Sequence, residues 1–441
     1  MSIRRVLRLA TVCCLFAQAA GAAEMTYPPK LPGGKTVFTG TGPELLTPPE
    51  AMKAVPVARK APTVDFLYYP CQTYPGKPWS NWGDGCAAGG KYYSAIGDHL
   101  APAGNAFVYE YDPAARKLRL LAEVRKVLAL PEGHYAPGKV HSRIDLGGDG
   151  WLYYATHRGS TRVTTDQYHY QGDWILRTHP PSGKTEIVAH GPVGKQCIPC
   201  SVLDGERMIF YGSTQAGDVK DKRHTFFAYD VKARKLLYRG YGGPGRYFLF
   251  ARSTGRVYFT PDLAGTLHRY DPAAGGGPVA LNVEMGLRAA TRETPDGAIY
   301  AVSGKGEAML YRFDVRTEKV RKLGPAAVGS QTYITSLDAD PAGRYLYYVP
   351  GAHGGSHQDG AAVVQFDVRT RKKKVVAYLH PFLRKHCGYT TIGTFSTAVS
   401  AKGDKLYITW QGACAESWQR RPPWDACALV VVHVPAGERK P

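Results

Sequence analysis

The chain has 441 residues, a formal charge of +20, and is rich in Gly (50), Pro (32) and Tyr (29). This length admits two or three domains or one large all-β domain, and with no long 3.6-residue periodicity a helical bundle is excluded in favour of an all-β fold. So positive a charge either favours a polyanionic partner through long-range attraction or serves solubility alone. No helix-turn-helix, zinc-finger or RNA-binding fingerprint accompanies it, so nucleic acid is not the expected partner.

Residues 1–23 carry Arg4, Arg5 and Arg8, an apolar run from Leu9 to Ala20, and small residues up to Ala23. This is the pattern of a secretory signal peptide, too short and wrongly flanked for a membrane span. Without its arginines the charge falls to +17, and the mature protein is expected in the periplasm or outside the cell. No other stretch approaches 18 apolar residues, so no membrane span is expected. Residues 24–62, rich in Pro, Gly and Thr, read as an extended arm.

From residue 63 to residue 435 one pattern recurs. Its outer hairpin appears as F-V-Y-E-Y-D-P-A-A-R-K from Phe107, W-I-L-R-T-H-P-P-S-G-K from Trp174, F-F-A-Y-D-V-K-A-R-K from Phe226, and again from Leu267, Leu310, Val363 and Leu429. The preceding hairpin recurs in step: D-G-W-L-Y-Y-A-T-H from Asp149, D-G-E-R-M-I-F-Y-G-S from Asp204, S-T-G-R-V-Y-F from Ser253, P-D-G-A-I-Y-A-V from Pro295, P-A-G-R-Y-L-Y-Y from Pro341, and A-K-G-D-K-L-Y-I-T-W from Ala401. D-F-L-Y-Y-P-C from Asp65 stands for this hairpin in the first copy. Alternating β-branched and aromatic residues between Gly, Pro and Asp turns are strand signatures. Asp230, Asp271, Asp314 and Asp367 lie 41, 43 and 53 residues apart, and four strands in such a period mark a propeller blade. Seven copies predict a seven-bladed β-propeller of four-stranded antiparallel blades. The last copy lacks a fourth strand, which the N-terminal arm is expected to supply, removing an exposed edge. Residues 436–441 read as a frayed basic tail.

In such a blade, the start of the innermost strand and the end of the second meet on one face, where loops can be long and sites concentrate. Strand starts there supply His141, Cys200, Tyr247, Arg292, Tyr333 and Thr394. Strand ends supply His157, residues 211–214, Asp262, Ser303, His353 and Trp410, and the longer loops add Tyr168, Arg223, His386 and Cys387. Imidazole exchanges protons near neutral pH, and guanidinium binds carboxylates bidentately. Neither the paired carboxylates of a glycosidase nor a G-x-S-x-G elbow is present. These residue types suit β-elimination from a uronic acid: Arg neutralises the carboxylate while His and Tyr remove the C5 proton and protonate the departing O4. The competing reading is a non-catalytic propeller that binds an anionic glycan or a protein.

Seven cysteines follow the leader. In an oxidising compartment Cys71 with Cys86 and Cys414 with Cys427, each bracketing a loop, read as disulfides. Cys197, Cys200 and Cys387 are left over, which means a free thiol, a third bridge or a metal site.

The repeat, the pair K-V-H-S (His141) and A-T-H-R (His157), and the final copy G-T-F-S-T-A-V-S-A-K-G-D-K-L-Y-I-T-W resemble the secreted seven-bladed propeller polysaccharide lyases, of which the ulvan and rhamnosyl-glucuronate lyases are most similar. The resemblance implies cleavage of an acidic polysaccharide to a 4,5-unsaturated uronate. It implies catalytic roles for His141, His157, the tyrosine of F-Y-G-S (Tyr211) and the arginine of D-K-R-H (Arg223), with Arg246 as the alternative arginine. Tyr247, Arg292, His353 and Tyr168 are further substrate-binding candidates. Such lyases also carry a structural zinc or calcium, for which C-I-P-C (Cys197, Cys200) and H-C (His386, Cys387) offer sulfur and imidazole; a disulfide with a free thiol remains the alternative. No organic cofactor is expected, and a monomer is.

Overall fold

The turn within the outer hairpin of five blades explains the recurring aspartate. In the computed structural model, which describes residues 29–70, 78–218, 220–261, 264–304, 306–414 and 424–439, Asp230 Oδ1 accepts the backbone N–H of Lys232 at 2.9 Å and of Ala233 at 2.8 Å. Asp112, Asp314 and Asp367 repeat this two or three residues on. Four residues beyond these aspartates the chain turns left-handed, at Arg116, Arg234, Glu318 and Arg371 with φ between 50° and 57°. After Asp271 that place is taken by Gly275, the residue that adopts positive φ without a Cβ penalty. Aspartates favour such turns because the carboxylate satisfies backbone donors that the ladder has left.

The strands assemble into seven antiparallel sheets of at least four strands, a β-propeller. Blade 1 spans Cys86–Ala88, Lys91–Gly97, Ala106–Asp112 and Lys117–Glu123. Blade 2 ends with Leu152–His157, Trp174–His179 and Lys184–His190, blade 3 opens on Gln196–Asp204, blade 4 on Leu249–Ala251, blade 5 on Ala289–Ala290 and blade 6 on Leu337–Ala339. Blade 7 orders Tyr389–Val399, Lys405–Cys414, Ala426–His433, then Thr63–Tyr68 and Phe38–Gly40. The sequence from Asp65 is therefore not the second strand of the first blade. It pairs with the last blade from Thr63 opposite His433 to Tyr68 opposite Ala428, because an unpaired outer edge there would leave a row of backbone donors and acceptors exposed. The second strand of blade 1 is instead Lys91–Gly97. Phe38–Gly40, from the arm, adds a fifth strand.

Buried residues form clusters that bridge neighbouring blades, as where Leu267 and Tyr258 of blade 4 pack with Phe313 and Ile299 of blade 5. The tail is not frayed up to residue 439: Ala436–Glu438 forms a helical turn whose buried Glu438 accepts the N–H of Arg59 at 2.7 Å and pairs with Lys374. Among the described residues no helix is long and apolar enough to cross a membrane. The leader, Cys71 and Asp262 lie outside the described residues.

Candidate active site

His141 and His157 meet because the innermost strand of blade 2 is interrupted. Its two pieces, Lys139–Val140 and Asp145–Leu146, both pair with Leu152–His157. Between them the Ser142 hydroxyl accepts the Ala155 N–H at 2.9 Å in place of a ladder partner. Lys139 stands directly opposite His157 in register, and His141, two residues on, shares the Lys139 side of the strand. The imidazole centroids are 4.8 Å apart. Gly83 lets the Trp82–Asp84 segment lie against this gap, since a Cβ there would fall 2.2 Å from the Ser142 carbonyl.

The ring nitrogens are assigned by their partners. His141 Nδ1 lies 2.7 Å from the Pro199 carbonyl and His157 Nδ1 lies 2.8 Å from the Arg158 carbonyl. A carbonyl can only accept, so both Nδ1 atoms carry the proton and both Nε2 atoms keep a lone pair. The Pro199 carbonyl is available because the blade 3 ladder skips between Cys197 and Cys200, where proline has no N–H to donate. Arg246 donates to His141 Nε2 at 3.1 Å.

Around the pair stands a crowd of cations. Lys139 Nζ sits 4.6 Å from the Trp82 ring centre. Arg288, buried at the entry to blade 5, donates to the Tyr333 hydroxyl at 2.8 Å and lies 5.7 Å from the Phe395 ring centre. Phe395 reaches the pocket because it is the extra residue of a bulge between Thr394 and Ser396, a device that re-aims a side chain. His353 is 5.4 Å from Trp82 and 5.8 Å from Tyr333. Burial, then Arg246 and Lys139, hold His141 well below the ordinary imidazole range. Burial, then His141, Lys139 and Arg158, do the same to His157. Burial, with Arg246 and Arg158 next, pushes Lys139 down to about 7. The histidines are therefore neutral bases at neutral pH, and the lysine can exchange its proton there.

Not every candidate joins them. Tyr211 is fully buried between blades and donates to the Gly255 carbonyl at 3.2 Å, in a turn of blade 4; it lies among Phe226 and Tyr270. Its side chain alternates toward the neighbouring blade and not toward the histidines. Arg223 is exposed, paired with Asp221 at 2.8 Å and stacked on Tyr241. Its place in D-K-R-H is an outer loop, and Arg246 takes the position beside His141. Tyr247 does line the pocket of His141, Arg246 and Arg288, but its hydroxyl is committed to Asp84 at 2.9 Å and the Ala290 carbonyl at 3.1 Å. Arg292 faces a different cavity of about 470 Å³ with Arg143 and Asp145, donating to the Cys86 sulfur at 2.9 Å. Tyr168 lines a cleft beside His157 and Lys139. Trp410 is core.

The four expected zinc ligands do not converge. Cys197 donates to the Gln215 carbonyl and Cys200, across the bulge, to the Pro244 carbonyl, while burial pushes both thiols up to about 12. Cys387 is packed among Phe66 and Leu383 in blade 7, and His386 lies against Phe38 and Phe382. No single ion can take all four, and among the described residues no group of three or more His, Cys, Asp or Glu is placed to hold a metal. Cys414 and Cys427 are not bridged: Cys427 is a free thiol packed with Tyr69 and Tyr407, whereas Cys414 meets the Tyr68 hydroxyl at 3.6 Å. Cys427 pairs with Gln411 in the ladder, three residues short of Cys414.

Lys139, Arg288, Trp82 and Phe395 were not among the sequence candidates. Lys139 was legible, since period-two alternation puts it on the His141 face. Arg288 was not, because Arg292 four residues later carries the same chemistry and only the observed strand limits separate them.

No protein-family model matches the chain, and no curated protein matches it in sequence. Solved structures match in fold. An oligogalacturonate lyase in complex with manganese superposes with a TM-score of 0.55 at 10% identity, covering 92% of this chain and 98% of that one. The WD40 repeats of RRP9 superpose with a TM-score of 0.51 at 10% identity, covering 86% and 99%. At such identities the likeness is one of fold: the propeller architecture is shared with a lyase and with WD40 repeats alike.

Proposed function

We propose that the chain is a polysaccharide lyase that cleaves a uronate-containing polymer, of the ulvan or rhamnosyl-glucuronate kind, by β-elimination at the histidine pair. The observation that carries this is a pair of neutral imidazoles, each with its Nε2 lone pair unprotonated, beside Lys139, Arg246 and Arg288, none of which is ion-paired to a carboxylate among the described residues; the one carboxylate of the pocket, Asp84, accepts the Tyr247 hydroxyl. Buried cations without counter-ions are costly, and an acidic sugar would supply the missing charge. A lyase of an oligouronate sharing the fold adds to it.

In this reading Arg246 and Arg288 bind the uronate carboxylate, drawing charge off C5 and acidifying its proton. His157 Nε2 removes that proton. The C5–H electrons form the C4–C5 double bond, the C4–O4 bond breaks, and the protonated Lys139 gives its proton to O4. Lys139 and Arg246 thus replace Tyr211 and Arg223 in those roles. His141, held by Pro199 and Arg246, orients the arginine. The leader pattern supports a periplasmic or secreted location, with the protein acting as a monomer.

The test is to incubate the protein with ulvan, glucuronan, pectate, gum arabic and heparin while following the absorbance of the unsaturated uronate. We expect product on at least one polymer, and a loss of about 10²–10⁴-fold in kcat for His157→Ala. No product on any of them favours the non-catalytic anion-binding propeller, and a fully active His157→Ala moves the base elsewhere.

A further inference from the structure

We propose a second anion subsite beside the histidines, in the cleft between the upper loops of blades 1 and 2, which takes the acid group of the sugar next to the one that is cut. It rests on the lyase reading above and names what that reading leaves open: the neighbour the enzyme selects. The cleft holds about 660 Å³ and is lined by Lys139, His157, Arg158, Ser160, Arg162 and Tyr168, among others. That is the size of a small-molecule site. By contrast, the cavity among His141, Arg246 and Arg288 holds about 20 Å³, room for about one water or one carboxylate of a sugar lying over it. The two spaces adjoin where His157 meets His141.

Three cations bound the cleft. Lys139 and Arg158 are buried and Arg162 is exposed, and none of the three is within ion-pair distance of a carboxylate among the described residues, the nearby arginine and lysine that do pair being Arg143 with Asp145 and Lys195 with Asp166. Arg158 spends one nitrogen on the Ala216 carbonyl at 2.7 Å. The carboxylate whose field reaches Lys139 is Asp98, and its oxygens already accept the backbone N–H groups of Leu100 at 2.8 Å and Asn105 at 3.1 Å. Gly159, in the cleft wall, lies so near the Asp98 carbonyl that a Cβ would come within 2.9 Å of it, so the cleft wall is held by close backbone packing. The carboxylate whose field reaches Arg158 is Asp173, and it already accepts the Thr156 hydroxyl at 2.7 Å and the Tyr135 hydroxyl at 3.0 Å; a cationic cleft whose nearby carboxylates are thus engaged fits an anion from outside. A uronate carboxylate and a sulfate ester are equivalent to it in charge, and Arg binds either in bidentate fashion.

Three probes separate the possibilities at fixed ionic strength: a tri-glucuronate, a sulfated ulvan tetrasaccharide, and the same tetrasaccharide chemically desulfated. Dissociation constants are measured by calorimetry on the full chain, with product formation followed in parallel. We expect the desulfated probe, whose neighbouring sugars carry no acid, to bind at least about 10-fold more weakly than one or both of the others. The tighter arm identifies carboxylate or sulfate. Arg162→Ala should abolish the gain without weakening the desulfated probe, and Arg162→Lys should retain most of it. Equal affinities for all three probes, or a gain that survives Arg162→Ala, overturn the subsite while product formation leaves the lyase reading standing. No binding of any probe sinks both.

Discussion

A lysine held near neutrality inside a ring of arginines is expensive, and Lys139 shows how the site trades stability for chemistry. Its ordinary pKa of 10.5 is pushed down to about 7 by burial first and by Arg246 and Arg158 next. Between those values the unfolded chain binds the proton and the native site does not, so stability rises as pH goes from about 7 to about 10. Below pH 7 both states are protonated and the native state carries the full cost, at most about 5 kcal/mol for a lowering of this size. Lys139→Met should therefore stabilise the protein by about 2–4 kcal/mol at pH 6 and by less at pH 9, while removing the proposed acid and slowing the reaction. Denaturant unfolding at the two pH values checks it, and equal effects at both would mean that the lysine is not buried charged. At this scale the sequence showed the residue types of the site better than its members. His141 and His157 were marked by blade 2 strands that are each recognisable alone, whereas excluding Tyr211 needed the direction in which its side chain leaves its strand, and choosing Arg246 needed the path of the loop before Leu249–Ala251.

Among the elements, the outer hairpins are the most locally determined. Asp314 accepts both the N–H and the hydroxyl of Thr317, at 3.0 and 2.9 Å, and pairs with Arg312 at 3.0 Å. Asp314→Ala removes these at once and should cost about 1–2 kcal/mol, read as a lower thermal midpoint with an unchanged circular dichroism spectrum at 25 °C. An unfolded chain under those conditions would show instead that the turn nucleates blade 5. Such turns were legible because an aspartate and the N–H groups it accepts lie within four residues. The bulges at Pro199 and Phe395 were not. A bulge is a mismatch between two strands, and neither strand alone records it, yet these two deliver the carbonyl that holds His141 and the ring that walls the pocket.

For the whole molecule, ring closure is the event that makes the site. Thr63–Tyr68 ties the N-terminal side of the chain to blade 7, and Phe66, fully buried, packs edge-on against Tyr68 and Tyr389. Phe66→Asp places an unpaired carboxylate in that core and should cost more than about 4 kcal/mol. Because Trp82 of the first blade and Phe395 of the last share one side of the pocket, a molecule that survives the change with an opened seam should also lose binding of anionic oligosaccharides. Thermal unfolding and calorimetry on the same variant check this. A Phe66→Asp protein with native stability would show that closure rests on the other strands.

By itself the sequence determined the number of sheets and their antiparallel build, because alternation and turn chemistry are written within a few neighbouring residues. It misassigned the strand from Asp65, whose partner lies more than 360 residues away at the other end of the chain. Only the tertiary structure decided which groups share the pocket. Lys139, Arg246, Arg288, Trp82 and Phe395 come from five blades, and the burial of Lys139 and Arg288, the mutual repulsion of the cations and their proton affinities arise from distances that do not exist until the ring is shut.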